Sequence, residues 1–541
     1  MRLRVGSGEF WRSPLFLVGL AVSAHLALAL IQVGRDAFWL DEFMSVSVVT
    51  GTWNDAVNFF RTLPEQHPVY YVLLWAWTQV STAEGWVRAL SSITSAASIP
   101  LVYLLGRKVF ERRVGLCAAW VVAISPYALY YAGEARMYSL ALLLSLATTL
   151  LLLDYLRSRE LRTLGVYALI ALIGIYTHFF LVLLVLSLGL AAIALSWSSR
   201  RVRRELLVTH AGLVVLFTPW LLLIAGTALE SGQDWKGASH LIFSAPYTLF
   251  RFVFGFGFVT NTYGWQSQVG AKIAEDAFLI VLGGITVVLA LSGGILGAFR
   301  RMMTAPEAGA RYGATLLLVS LAGPFLITIL VSPLVILAGD RYFVVSFAAF
   351  AILLSSGLFE FVRVSGPSSR RWTTTVLLGT LLIPLLTASA RTLDHPEVGY
   401  AQWDQAAAFL NSHAAGPDDL IVAYPEHIRP ILTHYVNATG PDLANDLPAR
   451  ALVSSASRLS DPPELSTQQS PNIWLVLAHT DHGPADLIPA NRLSTGQGSC
   501  WLFPRDNGII VWRVELARPP RGKGPSLQTP DPEIHCERRA P

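Results

Sequence analysis

The chain has 541 residues, 53% of them hydrophobic and 14% charged, with a mean hydropathy of +0.49. A soluble globular chain carries about 25% charged residues, so a wholly water-soluble protein is excluded. The net charge of +4 is modest, and the sequence holds no basic patch interleaved with aromatics of the kind that binds nucleic acid.

The charge deficit is uneven. Residues 14–390 read as one apolar run after another, whereas 391–541 resemble an ordinary water-soluble sequence rich in Pro, Asp and Asn. Two parts follow: a multi-spanning membrane domain over 1–390 and a soluble domain over 391–517, with a mobile Pro-rich tail over 518–541. The N-terminal arginines Arg2, Arg4 and Arg12 precede Pro14–Val33, which is long enough to span a bilayer and lacks a small-residue cleavage site, so an uncleaved first helix is expected.

Further spans are expected at Arg88–Leu105, Val114–Tyr131, Tyr138–Leu156, Leu164–Tyr176, Phe179–Trp197, Leu206–Gly226, Ala277–Phe299, Gly313–Leu330, Phe343–Val362 and Thr373–Ala390, about eleven in all. Pro68–Val80 is apolar and aromatic but too short to cross, and reads as a helix lying at the interface. With the N-terminus inside, the clusters Arg107–Arg113, Arg157–Arg162, Arg200–Arg204, Arg300–Arg311 and Arg363–Arg371 all fall on the cytoplasmic side, as the positive-inside rule requires. Counting Pro68–Val80 as a span would put most of them outside. The same parity places the C-terminal domain outside, which for a bacterial inner-membrane protein means the periplasm.

Two outer segments are long, 34–87 and 227–276, and long loops in a compact domain are usually functional. The first carries Asp41-Glu42, either a solvated helix end or a general base with a positioning partner. The other outer bends carry Glu134, Arg136 and Tyr138; His178; and Asp340-Arg341-Tyr342. Each alone could be a structural ion pair or a satisfied histidine. Ionisable groups at membrane depth are expensive, and several on one side favour one shared site.

The order Asp41-Glu42, Gln66-His67-Pro68-Val69-Tyr70-Tyr71, Gly106-Arg107-Lys108-Val109-Phe110, Ser125-Pro126, Glu134-Ala135-Arg136-Met137-Tyr138 and Tyr176-Thr177-His178 resembles the bacterial glycosyltransferases of the protein O-mannosyltransferase and lipid A aminoarabinose transferase type. The likeness runs through about residues 36–200 and returns at Asp340-Arg341-Tyr342. It implies the GT-C fold and an outward-facing enzyme that moves a sugar from a polyprenyl-phosphate carrier to a lipid, glycan or protein acceptor. It also implies that Asp41 is the catalytic carboxylate. At the motif that in some relatives supplies a phosphate-binding lysine, this chain has His67 and a single proline.

Chemistry asks for the same parts. Displacing a polyprenyl phosphate from an anomeric carbon needs a base on the acceptor and cations on the departing phosphate. Asp41 suits the first role, with Glu42 in support. Arg136 and Arg341 suit the second, with His67 and Lys236 as further candidates, and Tyr70, Glu134, Tyr138, His178, Asp340 and Tyr342 line the substrate side. A metal is not required, because phosphate already leaves well; no clustered metal-ligand spacing is present, which leaves open a site assembled from distant Glu, His and Asp. The main rival reading is a transporter or flippase of lipid-linked sugars, but a transporter needs polar groups along a path through the membrane, and these helices are clean between their ends. A second rival, an assembly factor binding a partner through its tail, leaves Asp41-Glu42 and Glu134-Ala135-Arg136 unexplained.

The C-terminal domain reads as α/β with a mostly parallel sheet: a helix over Tyr400–His413, a strand over Leu420–Tyr424, a helix over Ile428–Tyr435, and strands over Ile473–Leu477 and Ile509–Val514. Cys117 reads as a packing residue, whereas Cys500 and Cys536 can pair if this domain lies in an oxidising compartment.

Overall fold

The computed structural model describes residues 13–33, 37–64, 66–230, 241–255, 269–331, 340–366 and 369–394. In the last third it describes 403–413, 420–424, 428–439, 452–454, 472–477, 499–503, 509–515 and 537–538. Lys236, Cys536 and most of 518–541 lie outside these residues. The chain divides into two compact units, one of residues 1–35 and 45–395, the other of residues 36–44 and 396–541.

The first unit is helical. Its helices are α1 (Pro14–Gln32), α2 (Leu40–Thr50, begun in the other unit), α3 (Trp53–Thr62), α4 (Pro68–Thr78), α5 (Glu84–Val109), α6 (Arg112–Ala123), α7 (Pro126–Ala132), α8 (Tyr138–Ser158), α9 (Leu161–Ile175) and α10 (Phe179–Leu195). They continue with α11 (Arg200–Glu230), α12 (Leu241–Phe254), α13 (Val269–Thr304), α14 (Ala308–Val331), α15 (Val344–Val364) and α16 (Arg370–Asp394). Among the described residues eight helices are long and apolar enough to cross a membrane, or nine if α6 and α7, bent by 56° to one another, count as one broken span.

The remaining two expected spans are α9 and α10, of 15 and 17 residues. At 1.5 Å per residue they reach about 22–26 Å, short of a hydrocarbon core about 30 Å thick. The break between α6 and α7 has a local cause. Pro126 cannot donate to the preceding turn, and Ser125 caps the new helix by accepting from Ala128 N at 3.3 Å.

Among the described residues of 34–87, the helix expected over Pro68–Val80 is present as α4, and α2 and α3 are helices that the sequence reading did not expect. Thr52 and Asp55 form a reciprocal capping box at the start of α3, the S/T-x-x-D/E arrangement that satisfies two orphan donors. α4 joins α5 through Trp77 and Trp86, whose rings stack 4.5 Å apart at 7°. Each indole N–H donates to the other residue's carbonyl, at 2.7 and 3.0 Å. Deeper in the unit, α13 and α15 approach so closely at Gly294 and Gly357 that a Cβ on either would collide with the backbone carbonyl of Leu353 or Ala290. Small residues at such crossings let membrane helices pack backbone to backbone.

The second unit holds α17 (Trp403–His413), β1 (Leu420–Tyr424), α18 (Arg429–Thr439), β2 (Leu452–Ser454), β3 (Asn472–Leu477), β4 (Ser499–Phe503), β5 (Ile509–Glu515) and β6 (Glu537–Arg538). The sheet order is β2-β1-β3-β5-β4-β6. β1 runs parallel to β2 and β3, β5 antiparallel to β3 and β4, and β4 parallel to β6. The sheet is therefore mixed, because β5 enters against its neighbours. Its core gathers Trp403, Ala407, Leu410, Ile431, Leu432, Tyr435 and Trp474, and it also takes in Ala37, with Leu40 and Phe43 packed against it. Ala37, Leu40 and Phe43, far earlier in the sequence, thus pack into or against this unit's core.

Candidate functional site

The bend after α7 carries Glu134 and Arg136. Both are almost wholly buried, at 2% and 4% exposure. Every residue of α7 is buried, so the bend is anchored from its N-terminal side. The Arg136 guanidinium donates to Ser45 Oγ at 2.9 Å through Nη1 and to Gln66 Oε1 at 3.0 Å through Nη2. Tyr71 OH donates to the same Gln66 oxygen at 3.1 Å. A guanidinium stays charged in a protein, and its planar fork suits phosphate oxygens. Tyr70 and Tyr138 are buried beside this network, Tyr70 against Tyr71 and Tyr138 against Tyr131 and His178.

Two buried histidines sit in this half of the unit in opposite tautomeric settings. His67 Nδ1 lies 2.6 Å from Ile175 O. A carbonyl only accepts, so Nδ1 carries the proton and Nε2 presents a lone pair. That Nε2 is buried with no hydrogen-bond partner among the described residues, and the ring is enclosed by Phe179, Phe217 and Trp220. Burial pushes its pKa down to about 4. His67 is therefore a neutral acceptor, and a neutral acceptor does not bind a phosphate oxygen. In His178 the arrangement is reversed: Nδ1 accepts from Phe180 N at 3.1 Å, leaving Nε2–H as a donor. Burial, then the fields of His67, Arg136 and Arg341, push its pKa down to about 3.

The late bend forms a 3-10 turn, Asp340–Phe343. Tyr342 stacks on Phe180 at 5.5 Å and lies 5.9 Å from the His178 ring. The Arg341 guanidinium lies 5.2 Å over the Tyr342 ring and donates to its hydroxyl at 3.4 Å. Tyr342, His178, Tyr138 and Arg341 are thereby drawn into one neighbourhood. Asp340 faces elsewhere. Its carboxylate accepts from Arg251 Nε at 3.1 Å, and its carbonyl accepts from Tyr127 OH at 2.9 Å. Asp340 thus anchors the turn from behind.

Arg251 was not among the residues singled out from sequence. It is 1% exposed and also donates to Gly255 O at 2.8 Å. The signal was available: it is the sole charge in the otherwise apolar α12, LIFSAPYTLFRFVF, and a lone charge among apolar residues asks for a partner.

Asp41 and Glu42 open α2 in the second unit. Carboxylates in a first helical turn face the free N–H groups and the positive end of the helix dipole. Glu42 is fully buried and its Oε2 accepts from Trp39 N at 3.3 Å, whereas Asp41 is half-buried. Of the adjacent pair, Glu42 is the buried one and Asp41 the one with the more exposed side chain. Among the described residues no three His, Cys, Asp or Glu side chains are placed to hold a metal.

Residues 64–223 match the family model of the dolichyl-phosphate-mannose-protein mannosyltransferases. No curated protein matches the chain. Among solved structures it is similar to ArnT from Cupriavidus metallidurans in the apo state, at 12% identity over 94% of this chain and 98% of that one, with a TM-score of 0.51. That ArnT is also known bound to undecaprenyl phosphate. The chain is likewise similar to the apo oligosaccharyltransferase of Archaeoglobus fulgidus, at 14% identity over 88% and 70% of the two chains, with a TM-score of 0.52. The archaeal enzyme AglB from the same organism, in complex with an inhibitory peptide and a dolichol-phosphate, matches at 14% identity over 87% and 70%, with a TM-score of 0.50. The fold is the GT-C fold of membrane glycosyltransferases. With the mannosyltransferase match over 64–223, the chain is a multi-pass membrane glycosyltransferase.

Proposed function

We propose that the protein transfers a sugar from a polyprenyl-phosphate carrier to a hydroxyl acceptor, with Asp41 as general base and Arg136 and Arg341 taking the charge of the departing phosphate. The acceptor oxygen attacks the anomeric carbon and its proton passes to Asp41. The bond from that carbon to the phosphate oxygen breaks, and its electron pair leaves on polyprenyl phosphate. A charge-assisted, bidentate partner stabilises that developing charge. Glu42 supports the turn that carries the base. His178, as a neutral Nε2–H donor, and Tyr138 and Tyr342 offer hydrogen bonds to sugar or phosphate oxygens, Glu134 and Tyr70 shape the same wall, and His67 offers a lone pair to a donor hydroxyl.

What carries this reading is Arg136: a guanidinium 4% exposed and oriented by hydrogen bonds to Ser45 and Gln66, inside the stretch that matches the mannosyltransferase family. The lipid carriers seen with ArnT and AglB belong to the same chemical class as the proposed donor. The site reads as periplasmic, in a bacterial inner membrane with a cytoplasmic N-terminus, on the arginine clusters of the short loops. The test is purified protein with a radiolabelled polyprenyl-phosphate sugar, together with mass spectrometry of envelope glycans from a deletion strain. Loss of one glycan species and binding of the donor lipid are expected. An unchanged envelope with no donor binding contradicts the reading.

A further inference from the structure

We propose that the C-terminal unit is the holder of the catalytic turn, with Tyr435 as a positioning residue for Asp41; this rests on the reading of Asp41 as the base. Residues 36–44 are built into that unit. Tyr435 OH accepts from Phe38 N at 2.6 Å, three residues before Asp41. The His434 ring lies 5.4 Å from Phe43, two residues after it. Ala37 is buried in the core formed by Ile428, Ile431, Leu432 and Tyr435, and Leu40 and Phe43 pack against that core.

Ala37 and Phe38 before Asp41, and Phe43 after it, are thus tied to this unit. Asp41 itself stays half-exposed while its neighbour Glu42 is fully buried. A general base must sit within hydrogen-bond reach of the proton it takes, and a misplacement of about 1 Å can cost about 100-fold in rate. A helix entrance has its first N–H groups unpaired within the helix, so the segment leading into it needs fixing from outside. α18 supplies that fixing, which gives this domain a role in catalysis distinct from binding an acceptor.

Tyr435→Phe keeps the ring and cannot accept from Phe38 N. In the full-length protein it should lower kcat about 10-fold while leaving donor binding and the acceptor KM within about twofold of wild type. Phe43→Ala, loosening the same turn from its other side, should act alike. In an Asp41→Asn background Tyr435→Phe should add nothing, because its effect passes through Asp41. Wild-type kcat in both Tyr435→Phe and Phe43→Ala overturns the proposal. So does a raised acceptor KM at constant kcat, or an equal fall in the Asp41→Asn background. Full turnover by Asp41→Asn alone contradicts the base assignment itself, whereas its loss of turnover beside a wild-type Tyr435→Phe removes only the holder.

Discussion

Arg136 is where the donor-binding reading is most exposed to test. Replacing it with Ala removes a charge-assisted partner worth about 1.5–3 kcal/mol, or roughly 10- to 100-fold in donor affinity. Arg136→Lys should restore only part of this, since a single ammonium cannot reproduce the fork that reaches Ser45 and Gln66 together. Equilibrium binding of the polyprenyl-phosphate lipid checks both. The buried His67 and His178 make a separate prediction. Unfolded, both rings titrate near 6.5; folded, His67 titrates at about 4 and His178 at about 3. Between those values the unfolded chain binds more protons, so stability is full above about pH 6.5. It falls as pH drops through that window, by up to about 1.4 kcal/mol per pH unit for each ring. The thermal midpoint in detergent should therefore decline from pH 7 to 4.5, and less steeply in His67→Asn; identical slopes would mean that His67 titrates alike in the folded and unfolded chain. The positions of both rings were legible in the sequence as polar residues at bends, but their tautomers were not. Those depend on Ile175 O and Phe180 N, and backbone partners leave no trace in composition. His67 thus turned from a candidate phosphate ligand into an acceptor.

At the scale of elements, the pairing of Arg251 with Asp340 ties α12 to the turn that bears Arg341 and Tyr342. Tyr127 adds a second tie, donating to Asp340 O and meeting Phe252 of α12 at 4.9 Å. Breaking one partner of a buried pair leaves the other charge uncompensated, at about 3–5 kcal/mol. Arg251→Ala and Asp340→Asn should each lower the thermal midpoint and weaken donor binding, and the double variant should be less damaged than the sum of the two. Additive effects in that cycle would mean that the pair contributes nothing as a pair. The sequence grouped Asp340 with Arg341 because they are neighbours; the turn sends them to different partners. Long apolar runs fixed the membrane helices well from sequence alone, since their signal is local. α9 and α10 came out short because hydropathy windows do not show where His178 and the residues before it break the helix. Within the outer segment 34–87 the sequence showed α4 but not α2 and α3, which are short, and short helices are stabilised by tertiary packing rather than by propensity.

The division of the whole molecule into two units explains what was least legible. The long apolar helices of the first unit, and the helices and strands of the second, follow from local sequence pattern. That residues 36–44 belong with the C-terminal core is a long-range fact, carried by Ala37, Leu40 and Phe43 meeting α18, and no local pattern announces it. Orientation is a property of the whole chain as well. A phosphatase active only outside the cytoplasm should be active when fused after Asp394 and silent when fused after Arg203; the reverse pattern would put Asp41 and Glu134 on the cytoplasmic side and remove the proposed site. The central claim is that Asp41 takes the acceptor's proton. Asp41→Asn keeps size and hydrogen bonding but removes basicity, and a general base is worth about 10²–10⁴ in rate. The direct measurement is turnover by purified Asp41→Asn on a polyprenyl-phosphate sugar, with donor binding scored separately. A fall in turnover of that size with donor binding intact is the result predicted, and full turnover would contradict it.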